Sequence, residues 1–409
     1  MASAPSNMSV KDSTASGRDD RKTAHFIGTV VKPFPGAKIS KNFEFSREIL
    51  RSPNMRQAGG SADSIKVDNP DHTSFFFLDG ELHKRRRASV AAYFTPKAIL
   101  TRYDPLMKQT MAEMIADFRA KGTANLDQIA LVLAGKVTLE ILGLTESDPL
   151  STIKLLRALM SSSTSYETRP LRRFINDKVL GPFRRAHTNY LMKKLYTDCI
   201  VPAAEARKTD PKNDVVSYMV QNNYGPKAMI IEVMTYSGAG VSTTREFMQV
   251  AAWQLFDHPE LKDRFLAEDE SGQSKIIQEL LRLDPVAGYL YRRTNEELQS
   301  PIAGVLPKDQ LLAIDIRGTN QDPAIVGDDP FAIDPDRADR LNQLPTWASF
   351  GDGPHRCPGA QVALHETRVF LNHLFRVPGL KLEKAPDMGW SMGTQGYEMR
   401  NMIVSCDRI

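Results

Sequence analysis

A mainly α-helical fold with small β-sheets is expected for this chain of 409 residues. Helical spacing of apolar residues runs through most of Pro96 to Leu255 and returns from Ala360 to Phe375, whereas strict alternation is confined to short stretches. With 41% hydrophobic residues the chain can bury a large core, and its length alone allows two or three domains.

The elements follow in order. Met1 to Ala24 is rich in Ser, Ala, Asp, Lys and Arg, holds no apolar run of signal or anchor length, and reads as a disordered segment. Alternation from Gly28 to Pro33 and a helical run from Phe45 to Leu50 suggest a small strand region and then a short helix. Residues 56–74, rich in Gly, Ser, Asp and Asn, read as a loop. Helical patterns then dominate to Leu255, with breaks near Glu146 to Pro149, Ser161 to Thr168 and Lys208 to Asn213. A net charge of +4 is too mild to argue for nucleic acid. Cys199, Cys357 and Cys406 lack the paired spacing of a disulfide framework or a zinc site, so a reducing cytoplasm is the simpler setting.

The most informative stretch is Phe350-Gly-Asp-Gly-Pro-His-Arg-Cys357-Pro-Gly359. Gly351 and Gly353 can take backbone angles closed to other residues, and Gly359 can turn the chain into the helix that follows. The free N–H groups and dipole of that helix favour a sulfur anion at Cys357. A buried structural cysteine is the commoner fate of a lone Cys, so the surrounding pattern has to decide. It resembles the haem-binding loop of cytochrome P-450, F-x-x-G-x-[HR]-x-C-x-G, matching at Phe350, Gly353, His355, Cys357 and Gly359.

Three further stretches extend the resemblance. In Glu279-Leu-Leu-Arg282 the carboxylate and guanidinium can meet on one helix face; such a pair on a surface is worth only about 0.3–0.5 kcal/mol. With Asn320-Gln-Asp-Pro323 and Asp334-Pro-Asp-Arg337, the stretch is similar to the family's E-x-x-R helix and meander, a structural support of the haem loop. In Asp79-Gly-Glu-Leu-His83-Lys-Arg-Arg-Arg87, His83 and Arg87 are spaced to clasp one carboxylate, as the family's H-x-x-x-R does for a haem propionate; His355 and Arg292 are the other implied propionate contacts. Lys84, Arg85 and Arg86 read equally as a solvated face or, with Arg356, as a docking site for an acidic ferredoxin.

Gly238-Ala-Gly-Val-Ser-Thr-Thr244 lies inside a helical run from Ile230 to Phe256, where each glycine costs roughly 1 kcal/mol and needs a reason. Ala239, Gly240, Thr243 and Thr244 match the family's oxygen-binding pattern [AG]-G-x-[DE]-T-[TS]; Ser242 stands where the acid is usual. A hydroxyl relays a proton but is no carboxylate reservoir, which leaves open a relay through Ser242 and water, an acid supplied by Glu246, or a polar group of the substrate.

The resemblance implies one cytochrome P-450 domain over residues 25–409, a triangular helical prism around haem b (iron protoporphyrin IX). It implies Cys357 as iron ligand, Thr243 as distal relay, O2 as co-substrate, and electrons from NAD(P)H through a separate ferredoxin system. The lack of an N-terminal anchor implies a soluble enzyme, away from membranes. Hydroxylation or oxidative demethylation of a small, largely apolar molecule is the first expectation. Radical coupling or a peroxide-driven oxidation is the alternative that Ser242 raises, and a non-catalytic haem-thiolate sensor is the alternative of another class. Phe76, Phe77, Tyr236, Ala239, Val286, Tyr289 and Gln395 are the expected substrate-pocket residues, though aromatic clusters such as Phe75 to Phe77 are usually core in part.

Overall fold

The computed structural model describes residues 21–24, 32–59, 61–65, 67, 69–162, 181–343, 345–391 and 395–409. They are mainly helical, with four small sheets among the described residues. The chain divides into two compact units, residues 1–55 with 250–356 and residues 56–249 with 357–409.

In the first unit, Asn42 caps the helix Phe43–Arg51 by accepting the Phe45 N–H, and Phe45, Ile49 and Leu50 fall on its buried side. They pack on Leu312, Ile314, Leu306 and Ala348. Burying each such side chain contributes about 1.5–3 kcal/mol. Strand Lys38–Ser40 runs parallel to Leu311–Asp315, whose other neighbour, Tyr289–Thr294, is antiparallel. Helix Glu270–Leu283 begins at Asp269, which caps it by accepting the Gly272 N–H. The expected helix at Phe45 to Leu50 is present; the strand precedes it at Lys38–Ser40, and residues 25–31 lie outside the described residues.

The stretch expected to be disordered through Ala24 is anchored at its end. Thr23 Oγ1 donates to Asp284 at 2.8 Å and accepts from Arg317 at 3.0 Å, while Arg21 reaches Gln321 at 2.7 Å. Residues 1–20 lie outside the described residues.

In the second unit, helix Leu126–Leu142 is apolar nearly all round and buries most of its residues, which makes it the centre of the helical packing. Helices Asp104–Lys121 and Pro149–Ser162 pack on it, and Ala360–Leu374 packs on Asp104–Lys121. Strands Thr123–Asn125 and Lys381–Lys384 flank Ile403–Ser405, and Asp387–Ser391 pairs with Gly396–Arg400 as a hairpin. The loop expected over 56–74 carries the short helix Ser61–Ser64 and a 3₁₀ turn at Pro70–His72. Of the expected helix breaks, Ser163 to Thr168 lies outside the described residues.

Candidate active site

The E-x-x-R pair is interior. Arg282 is fully buried; its Nε and Nη2 donate to the two Glu279 oxygens at 2.8 and 2.7 Å, and Nη1 donates to the carbonyls of Asn320 and Pro330. Arg337 joins through Nε at 3.2 Å to Glu279 and through Nη1 to the Val326 carbonyl. Asn320 then bonds the Ala348 N–H and the Ser349 hydroxyl, and Ser349 bonds the Leu281 carbonyl, so the network holds the start of the cysteine loop.

Further along, Gly351 and Gly353 have φ of +68° and +65°. A Cβ on Gly353 would sit 2.5 Å from the Leu50 carbonyl oxygen, so both the angle and the space require glycine. Asp352 caps the 3₁₀ turn Gly353–His355 by accepting the Gly353 N–H at 2.7 Å, and Arg51 holds that carboxylate at 2.8 Å. Phe350 and His355 are half-buried. Arg292 is buried in strand Tyr289–Thr294, with Nη1 on the Tyr291 carbonyl at 2.8 Å; Val286 is buried, and Tyr289 is half-buried with its hydroxyl pushed up to about 12 by burial.

In the second unit Cys357 is half-buried, three residues before helix Ala360–Leu374, and the three cysteines form no disulfide among the described residues. Gly359 corrects one expectation. Its φ is −86°, which any residue adopts, and an added Cβ would make only ordinary contact with Phe94 at 3.8 Å. The helix buries Val362, Phe370 and Leu374 as expected, and also Glu366, whose carboxyl burial pushes up to about 8.

On helix Gly80–Val90, His83 is buried and Arg87 half-buried one turn on. The basic run between them splits. Lys84 and Arg85 are exposed and paired with Glu81 and Asp71, but Arg86 is buried against Glu232 at 3.4 Å, with its guanidinium 4.5 Å from the Tyr218 ring centre. Arg86 therefore belongs neither to a solvated face nor to a docking surface. Of the docking residues expected, Arg356 is half-buried with Nη2 3.3 Å from Thr346 Oγ1.

The expected helix from Ile230 to Phe256 is Pro226–Ser237, a π-turn over Gly238–Ser242, and Thr243–Asp257. π-turns inside helices concentrate at functional sites. Ala239 is the one exposed residue from Ile231 to Phe256, and its carbonyl accepts the Thr243 hydroxyl at 2.6 Å. Gly240 has a packing reason: a Cβ there would lie 2.7 Å from Thr138 Oγ1 on the central helix. Ser242 Oγ donates to Met160 Sδ at 3.4 Å. Glu246 is buried, with Oε2 on the Met399 N–H at 2.5 Å and Oε1 on Arg400 at 2.6 Å; desolvation outweighs Arg400 and Arg245 and pushes its carboxyl up to about 7. Its contacts tie the helix to the hairpin.

Of the expected pocket aromatics, Phe75 is core, Phe76 and Phe77 are half-buried, and Phe76 meets Tyr236 edge-on at 5.5 Å. Gln395 is buried with φ +48°; Gly393 and Thr394 beside it lie outside the described residues.

The family profile described as Cytochrome P450 matches residues 42–272 and 273–387. The chain belongs to the cytochrome P450 family, whose members are haem-iron monooxygenases. It is 29% identical over 305 residues to erythromycin C-12 hydroxylase of Saccharopolyspora erythraea, covering 73% of this chain and 71% of that protein. It is 26% identical over 347 residues to cytochrome P-450 monooxygenase DoxA of Streptomyces peucetius subsp. caesius, covering 80% and 76%. The crystal structure of CalO2 superposes with a TM-score of 0.75 at 20% identity, covering 94% of this chain and 95% of that one. The P-450 fold expected from the loop motif is thus present.

The residues fit the family's cofactor. Cys357 stands on a short loop at the N-terminal end of a fifteen-residue helix, where a thiolate is favoured. Among the described residues no group of three or more His, Cys, Asp or Glu could hold a bare metal ion, whereas one thiolate suits a metal already held by a macrocycle. No helix among the described residues is long and apolar enough to cross a membrane.

Proposed function

We propose that this chain is a haem-thiolate monooxygenase that hydroxylates or oxidatively demethylates a small, largely apolar organic molecule, using O2 and two electrons from a separate ferredoxin and reductase that draw on NAD(P)H. The observation that carries it is the pairing of the Thr243 hydroxyl with the carbonyl of Ala239 across a π-turn, Ala239 being the one exposed residue from Ile231 to Phe256. Haem, when bound, supplies oxygen activation, and the protein supplies position and protons. Cys357 would ligate the haem iron, and His83, Arg87, Arg292 and His355 would hold the propionates. Phe350 and Gly353 shape the loop, and Ala239 and Gly240 shape the distal groove.

Thr243 holds a proton at its hydroxyl, engaged with the Ala239 carbonyl, and can release it toward the distal groove when that bond breaks. Ser242, hydrogen-bonded to Met160, is the neighbouring hydroxyl through which water refills it. Glu246 is a slower reservoir, because both its oxygens are engaged. Phe76, Phe77, Tyr236, Val286, Tyr289 and Gln395 line the substrate. Exposed Lys84 and Arg85, with Arg356, receive the acidic electron donor in the cytoplasm. A coupling or peroxide-driven oxidation is the second reading, and it rests on the absence of a carboxyl at Ser242.

The test is the absorption spectrum of the reduced, carbon monoxide-bound protein. A red-shifted Soret band lost in Cys357→Ala supports thiolate ligation; a histidine-type spectrum in fresh protein overturns it. Incorporation of labelled oxygen from O2 into product then separates monooxygenation from coupling.

A further inference from the structure

Strand Gly396–Arg400 pairs on one side with Asp387–Ser391 and carries no strand on its other side among the described residues. A bare strand edge presents N–H and C=O groups that need partners, and here side chains supply them. The N–H of Met399, a fully buried residue, donates to Glu246 Oε2 at 2.5 Å. Its carbonyl accepts from Gln249 Nε2 at 3.3 Å and from Arg400 Nη1 at 2.6 Å. Glu246 and Gln249 are buried neighbours three apart on helix Thr243–Asp257, so one helix grips both polar groups of one backbone residue.

Charges complete the grip. Glu246 Oε1 accepts from Arg400 Nη1 at 2.6 Å, and Arg400 also reaches Glu398 at 3.5 Å. Arg245, beside Glu246, bonds Asp127 through Nε at 2.7 Å, and Asp127 lies 3.9 Å from Arg400. Two acids and two bases thus join three elements of the second unit: the central helix Leu126–Leu142, helix Thr243–Asp257 and the hairpin. A buried ionic network stabilises little relative to apolar residues of the same volume, but its directional bonds favour one register of the elements that carry it.

The elements held in register are those the proposed reaction uses. Thr243 stands three residues before Glu246 on the gripping helix, and Gln395 immediately precedes the gripped strand.

We propose that Glu246, Gln249 and Arg400 are positioning residues for the substrate: by holding Met399 they fix the hairpin, and with it Gln395, against the helix that carries Thr243. This rests on the reading that Gln395 lines the substrate.

Hydrogen exchange read by mass spectrometry on the haem-loaded full chain measures the grip. Gln249→Met deletes one bond to Met399 at similar volume, and Arg400→Met, at a side chain 29% exposed, deletes the bonds to Met399 and Glu246. In each variant the amides of Asp387–Ser391 and Gly396–Arg400 should exchange at least about tenfold faster, with helix Ala360–Leu374 within about twofold of the parent. Arg400→Lys should stay within about threefold of the parent, because a single nitrogen, Nη1, makes both bonds and an ammonium can do the same.

Absorbance titration of the same proteins with imidazole and 4-phenylimidazole then reads the positioning role. The Kd of 4-phenylimidazole should rise by about fivefold or more in both Met variants, since a loosened wall has to be ordered on binding, while that of imidazole, too small to reach the wall, stays within about twofold. Unchanged hairpin exchange, exchange that rises equally in helix Ala360–Leu374, or azole affinities that stay put or shift together would overturn the proposal. Hairpin exchange does not report the iron ligand, so failure here is distinct from failure of the carbon monoxide spectrum that tests the monooxygenase reading.

Discussion

Arg86 Nη2 lies 3.4 Å from Glu232 Oε1 with at most 3% of either side chain exposed, although Arg86 stands between the exposed Arg85 and the half-buried Arg87 in one basic run. Burial has separated residues that look alike in sequence. Arg86→Ala should cost about 3–5 kcal/mol in chemical denaturation, because it leaves Glu232 charged and alone. Lys84→Ala and Arg85→Ala should each stay within about 0.5 kcal/mol, since exposed pairs contribute little. If the docking proposal holds, those two slow reduction by an acidic ferredoxin at low salt and converge with the parent rate at high salt. Reduction rates indifferent to both charges would count against docking there.

Gly353→Ala should lower haem retention. The substitution forces a Cβ onto φ +65° and to within 2.5 Å of the Leu50 carbonyl, so the loop must shift. The haem-to-protein absorbance ratio after gel filtration should fall severalfold. Gly359→Ala, at an ordinary φ and with room beside Phe94, should retain haem near the parent level.

Two buried glutamates give the stability a pH slope of predictable sign. Burial raises Glu246 to about 7 and Glu366 to about 8, above the ordinary value of 4.5. A raised carboxyl binds its proton more tightly folded than unfolded, so its contribution is fully present below about pH 4.5 and is lost as pH rises through 7 and 8. For Glu246 alone the loss is on the order of 3 kcal/mol. Urea midpoints measured from pH 5 to 9 should fall, and Glu246→Gln should flatten the part of the curve below about pH 7. A flat parent profile would refute the assignment.

Ser242→Asp restores the family's usual acid at the cost of the Ser242 to Met160 contact. If proton supply limits the proposed reaction, the fraction of electrons recovered in product should rise by about twofold or more. Unchanged coupling and turnover would show that Ser242 with water already suffices.

Much of the candidate site was legible because its motifs are local. The cysteine loop, the H-x-x-x-R spacing and the threonine in a glycine-containing helix are set by residues within about one or two turns of each other. The Glu279 and Arg282 spacing was equally visible, but nothing local showed that the pair is buried or that Arg337, more than fifty residues on, completes it. The glycines were read less well. Gly240 is explained by Thr138 on another helix, and Gly359 by no backbone demand at all. Glu232 carried no signal, because a lone glutamate in a helical run is ordinarily on its solvated side.

The sequence by itself determined the family, the mainly helical class, the cysteine proposed as haem ligand and the anomaly at Ser242, since each is a matter of residue type at fixed short spacing. The tertiary structure decided which charges leave water. Arg86, Glu232, Glu246 and Glu366 are interior because other elements cover them, and desolvation, which depends on everything packed around a group, has no footprint in the residues beside it.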